Sequence, residues 1–178
     1  MILTTLCAGS GGQGVLTMGN VLGNAGMIQG FNATYLPAYG AAVRGGTANC
    51  TVSISDEEIA SPVVSNPGIL VAMNQPSAMA FMNRLVHGGK LIYNSSIVAD
   101  LPKRGDIEYF PVAANELARE LGNDRSANMI LLGSLIRVGQ VLTPESIFKS
   151  LEILMGGKPA LVEVSCRAVT RGYEIINQ

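Results

Sequence analysis

Four glycines in the six residues Gly9-Ser10-Gly11-Gly12-Gln13-Gly14 constrain this chain more than any other stretch. Glycine reaches backbone conformations that a Cβ forbids, so the segment turns sharply and lets another group come close. The run before it, 2–8, is apolar and of strand length. The segment after it, 15–29, carries apolar side chains at Met18, Val21, Leu22, Ala25 and Ile28, a helical period. A turn between a strand and a helix opens onto the helix N-terminus, where unpaired amide hydrogens and the helix dipole favour an anion. A second glycine-rich stretch, Pro37-Ala38-Tyr39-Gly40-Ala41-Ala42-Val43-Arg44-Gly45-Gly46, carries Arg44, the one charged side chain before Asp56.

Gly9, Gly11 and Gly14 match the spacing of a dinucleotide fingerprint, but the match fails at its second requirement. An acid is needed at the end of the second strand for the ribose hydroxyl, and no Asp or Glu precedes Asp56. Nor does Lys-Ser or Lys-Thr follow the glycines, as a P-loop demands. Two readings of the turn stay open: tight strand–helix packing alone, or an anion site that uses the Gln13 amide. Arg44 reads either as a loop salt bridge or as a guanidinium aimed at a ligand, and the Tyr39 ring as packing with its hydroxyl at the surface.

The length of 178 residues suits one domain, 1–178, with a sizeable core. Hydrophobic residues make up 48% and charged residues 14%, against roughly 25% charged in ordinary soluble domains. A surface so poor in charge is expected to be covered by partner subunits. No apolar run is long enough to span a bilayer, and a net charge of −1 gives no case for nucleic acid. The N-terminus lacks the basic region of a signal peptide, and Cys7, Cys50 and Cys166 are widely separated, so a reducing cytoplasm is expected. Without a Cys-x-x-Cys pair, no iron–sulfur or zinc site is expected on this chain. His87 is the only histidine, and Asp56, Glu57 and Glu58 are adjacent rather than opposed, so no catalytic residue and no metal ligand is assigned.

Further strands are expected at 31–36, 47–55 (alternating, as in an antiparallel strand), 69–73, 90–93 and 107–110. The 69–73 run is apolar without alternation, as in a sheet covered on both faces. Helices are expected at 76–86, 113–121, 127–138, after Thr143-Pro144-Glu145, and at 159–174. Strands alternating with helices predict an α/β fold, a three-layer α/β/α sandwich with a mainly parallel, mixed sheet.

Several motifs occur in a fixed order: the glycine turn, Pro37-x-Tyr39-Gly40, Arg44-Gly45-Gly46-Thr47-Ala48-Asn49-Cys50, Ser55-Asp56, Ser61-Pro62, Ala114-Asn115-Glu116-Leu117-Ala118-Arg119-Glu120-Leu121-Gly122-Asn123 and Ala127-Asn128-Met129. Together they resemble the gamma subunit of 2-oxoacid:ferredoxin (acceptor) oxidoreductases, closest to the 2-oxoglutarate and branched-chain types. The resemblance implies the fold of the gamma domain of pyruvate:ferredoxin oxidoreductase. It also implies a place in a complex that converts a 2-oxoacid, coenzyme A and oxidised ferredoxin into an acyl-CoA, carbon dioxide and reduced ferredoxin. In such a complex thiamine diphosphate and Mg2+ belong to alpha and beta subunits, iron–sulfur clusters to other subunits including a ferredoxin-like delta, and no cofactor to this chain. The gamma chain supports assembly and the coenzyme A path. Gly9, Gly11, Gly12, Gln13, Gly14, Tyr39, Arg44, Gly45 and Gly46 are then the candidate residues facing coenzyme A or a partner subunit. Two positions depart from the family's pattern: Ala42, where an acid is common, and Gly68, where an aspartate is usual. The alternatives are a subunit of a pyruvate or indolepyruvate enzyme, a free-standing coenzyme A or nucleotide-phosphate-binding protein, and a stand-alone enzyme.

Overall fold

β1 (Ile2–Ser10) lies inside a six-stranded sheet, and its Leu6, Cys7 and Ala8 are wholly buried. A strand of that kind needs apolar cover on both faces. The computed structural model, which describes residues 2–39 and 46–176, provides that cover unequally. After β1 come α1 (Val15–Ile28), β2 (Asn32–Tyr39), β3 (Thr47–Ser55), β4 (Ile69–Ala72), α2 (Gln75–Phe81), β5 (Lys90–Asn94) and β6 (Glu108–Val112). Four helices follow: α3 (Ala114–Glu120), α4 (Ala127–Gly139), α5 (Pro144–Met155) and α6 (Pro159–Ile175).

The strands lie in the order β2-β3-β1-β4-β5-β6. β3 runs antiparallel to both β1 and β2, as its alternating pattern predicts, while β1–β4, β4–β5 and β5–β6 are parallel. The α/β class and the mixed sheet are as expected. Pro37 lies in β2, an edge strand, where its missing N–H costs least. Side chains alternate across the sheet as a period of two requires. Cys7, Val71 and Ile92 face α1 and α4, with α5 and α6 stacked on those helices. Leu6, Leu70 and Leu91 face α2 and the Met82 and Leu85 side chains.

α4 and α6 touch backbone to backbone. A Cβ at Gly172 would run into the Ile130 carbonyl, and one at Gly133 into the Val169 carbonyl. Ser134 Oγ donates across the contact to the Gly172 carbonyl at 2.9 Å. The start of α5 is as the sequence predicts: Thr143 Oγ1 accepts the Ser146 N–H, and Pro144 opens the helix.

Three elements differ from expectation. The 76–86 helix stops at Phe81 and continues as one 3₁₀ turn, Met82–Arg84. Its end is shaped by side chains from elsewhere: the Arg104 guanidinium donates to the carbonyls of Met82 (2.6 Å) and Leu85 (3.4 Å). Arg84 reaches out to the carbonyls of Val64 (2.8 Å) and Ser65 (2.9 Å). β2 extends past 36 to Tyr39 because every residue of it has a partner in β3. The last strand is shifted to Glu108–Val112 by its register with β5, which pairs Lys90 with Glu108 and Asn94 with Val112. Among the described residues no helix is long and apolar enough to cross a membrane.

The α4–α6 contact yields a stability prediction. Gly172→Ala is expected to destabilise the chain by about 1–3 kcal/mol through overpacking, read as a lower urea midpoint with an unchanged slope. An unchanged midpoint would mean that the two helices do not touch there.

Candidate functional site

The turn between β1 and α1 needs its glycines for two reasons. Gly12 and Gly14 have φ of 91° and 73°, the left-handed region that a Cβ disfavours. Gly9 is needed for close approach: a Cβ there would lie 2.7 Å from Val15 Cγ2, 2.8 Å from Gln13 Oε1 and 2.9 Å from Met73 Cβ. Gly11 donates its N–H to the Gly46 carbonyl at 3.0 Å, which brings the end of the second glycine-rich stretch against the first.

Gln13 folds back into the turn. Its Oε1 accepts the Ser10 N–H at 2.7 Å and Asn74 Nδ2 at 2.9 Å. Asn74 Nδ2 also donates to Ser10 Oγ at 2.8 Å, and Asn74 Oδ1 accepts the Ser77 N–H at 2.9 Å, capping α2. On the opposite side Asn128, near the start of α4, donates through Nδ2 to the Gly14 carbonyl at 3.1 Å. α1 itself has no side-chain cap, since the residue before it is Gly14. Two asparagines and one glutamine therefore hold the turn.

β1 and β4 are adjacent and parallel, yet the helix after β1 packs on one face of the sheet and the helix after β4 on the other. Open α/β sheets hold ligands at such a divergence, at the carboxyl ends of the strands. A polar cleft of about 440 Å³ opens here, with Gly12, Gln13 and Met73 on one side and Asn115, Asp124, Arg125 and Asn128 on the other. Its polar groups are amides, the Arg125 guanidinium and the Asp124 carboxylate; the amides and the guanidinium offer hydrogen-bond donors to an anion, and the carboxylate opposes one. A second, more apolar cavity of about 620 Å³, between Tyr93, Leu101, Lys103 and Tyr109, shares none of these residues.

The displaced ionisable groups brace the fold. Hydrogen bonds from the Arg104 guanidinium hold the Asp106 carboxyl below the usual carboxylate range. The Ser96 hydroxyl does the same for Glu116. Among the described residues no group of three or more His, Cys, Asp or Glu side chains is placed to hold a metal ion.

Of the residues singled out by sequence, Gly9, Gly11, Gly12, Gln13, Gly14 and Gly46 come together. Tyr39 ends β2 on the rung that crosses Ala48 of β3 to Gly9 of β1, so its backbone lies two strands from the turn. Gly40, Arg44 and Gly45 lie outside the described residues. Sequence reasoning missed Asn74, although an asparagine just before a Gln-Pro helix start is a legible cap signal. It also assigned no role to Arg125 or Asn128. Asn128 meets Gly14 across a separation of 114 residues, which no local pattern reveals.

Residues 4–175 match the family pyruvate ferredoxin/flavodoxin oxidoreductase. The chain is 38% identical over 168 residues to ketoisovalerate oxidoreductase subunit VorA of Methanothermobacter thermautotrophicus, spanning 94% of this chain but only 35% of that one. It is 35% identical over 176 residues to 2-oxoglutarate synthase subunit KorC of Methanothermobacter marburgensis, covering 95% of this chain and 94% of that one. Among solved structures, the gamma subunit of keto/oxoacid ferredoxin oxidoreductase from Geobacter sulfurreducens superposes with a TM-score of 0.84 at 26% identity, over 97% of this chain and 96% of that one. The match begins in β1, passes through the glycine turn and ends in α6, and the chain therefore belongs to the pyruvate ferredoxin/flavodoxin oxidoreductase family.

Proposed function

We propose that this chain is the gamma subunit of a 2-oxoacid:ferredoxin oxidoreductase acting on 2-oxoglutarate or a branched-chain 2-oxoacid. The carrying observation is that one and the same domain makes up nearly all of KorC and about a third of VorA. A unit found both free and joined to a longer chain acts beside the segment it is joined to. The partners are the alpha and beta subunits, which hold thiamine diphosphate and Mg2+, and a ferredoxin-like delta subunit that carries iron–sulfur clusters. Ferredoxin accepts the electrons, and the complex works in the cytoplasm. This chain holds none of the cofactors itself.

Two features of the surface support a partner role. The apolar cluster on the α2 side draws on β1, β4 and β5 but, among the described residues, on neither β2 nor β3. The β2–β3 side of the sheet is thus left without a helix on that face, with Leu36 and Ala38 exposed. Met27, Val63 and Ile153 are also more than half exposed. Burial of such surface drives association. Co-expressed with the alpha and beta subunits and purified through a tag on this chain, it is expected to bring both with it. Alone, it is expected to self-associate in light scattering. A clean monomer that never joins them overturns the proposal.

Within that complex the cleft beside the glycine turn lies on the coenzyme A path. Turn amides suit the phosphates, and Arg125 supplies a cation at the rim. Arg44, Gly45 and Tyr39 belong to the same proposal on sequence grounds. In the assembled enzyme, Arg125→Ala and Arg44→Ala are each expected to raise KM for coenzyme A by roughly tenfold or more, the loss of a charged hydrogen bond. Assembly and KM for the 2-oxoacid are expected to stay unchanged. Weakened assembly with an ordinary coenzyme A constant would instead make these residues part of the subunit interface.

A further inference from the structure

Cys7 of β1 and Cys50 of β3 are directly opposed in the antiparallel register, and both are wholly buried. Their side chains point to the same face, beneath the N-terminal half of α1. The Cys50 thiol donates to the Val15 carbonyl (Sγ···O 3.6 Å). α1 comes close enough to require Gly19, since a Cβ there would run into Cys50 Sγ. The function proposed above uses neither thiol.

We propose that Cys7 and Cys50 form a buried dithiol that closes to a cross-strand disulfide, with a hydroperoxide as oxidant. Directly opposed antiparallel residues have Cα atoms about 4.5 or 5.5 Å apart, inside the range of about 4.4–6.8 Å that disulfides span. Their Cβ atoms, about 4.5–5.5 Å apart, must close toward the roughly 3.5–4.5 Å of a disulfide. That is a small inward movement of the two side chains and not a rearrangement of the sheet. One sulfur attacks the peroxide O–O bond and becomes a sulfenic acid, releasing water from hydrogen peroxide or the alcohol from an organic hydroperoxide. The second sulfur then displaces the sulfenic oxygen, which leaves as water. Two thiols lose two hydrogens and two electrons, and these reduce the peroxide.

Closure removes the S–H that Cys50 gives to Val15 and draws its sulfur away from Gly19, so it acts on the first turn of α1. Three rungs further along the same register lies the Ser10–Thr47 pair, where the glycine turn begins. The neighbouring Cys50 thiol and then burial push the Cys7 thiol well above its ordinary pKa, so the thiolate is scarce and closure is slow.

The test uses the full reduced chain treated with hydrogen peroxide, alkylated, and mapped without reduction. The expected product is a Cys7–Cys50 linked peptide, absent from Cys50→Ala, with Cys166 outside any crosslink. Because the register holds the sulfurs together, closure is expected at least tenfold faster in the folded chain than in urea. Cys7 and Cys50 recovered from folded protein as thiols or as separate sulfinic acids, or a crosslink that forms no faster when folded, overturns the proposal. Hydrogen exchange in 15–19 is expected to be faster in the oxidised form, and equal exchange overturns the link to α1.

Discussion

The Gln13 side-chain oxygen takes two hydrogens at once, one from the end of β1 and one from the start of α2. That pair of bonds fixes how the chain leaves two neighbouring strands. An amide hydrogen left unpaired in such a turn costs about 1–3 kcal/mol, and the glycines cannot supply an acceptor from side chains they lack. Gln13 supplies it, and Asn74 gives the same side chain a second partner while capping α2. The turn is therefore rigid without being filled. The first turn of α1 itself has no side-chain cap.

Much of this was legible in the chain itself. A strand, four glycines and a helical period predict the β1–α1 unit, and Gly12 and Gly14 do carry the positive φ that only glycine adopts freely. The alternation over 47–55 gave β3 and its antiparallel sense. The apolar 69–73 run gave a strand covered on both faces. What was not legible came from long-range contacts. The early end of α2 depends on Arg104, 22 residues beyond Met82, and the pairing of β6 depends on β5. A period-based reading sees the intrinsic preference of a segment and not the guanidinium that takes its carbonyls.

The site divides in the same way. Glycines announce themselves because few backbone conformations demand them, so the turn was found at once. Gln13 was noticed for its position, but its side chain could as well have pointed outward; only the placement of Ser10 and Asn74 decides that it braces the turn. Asn128 is held by a Gly14 carbonyl that already accepts the Met18 N–H, a use no spacing rule anticipates.

The sheet places a polar cleft at one end of its parallel strands and an edge strand with exposed apolar side chains on its antiparallel side. Parallel strands β1, β4, β5 and β6 end together, and helices leaving β1 and β4 on opposite faces part the chain above them, which opens the cleft. β2 and β3 extend the same sheet antiparallel beyond β1. On the face opposite α1 no helix among the described residues covers these two strands: Thr51, Ser53 and Ser55 of β3 are buried there, while Leu36 and Ala38 of β2 are exposed. The cleft carries amides, a guanidinium and a carboxylate, and the β2 edge carries the exposed Leu36 and Ala38.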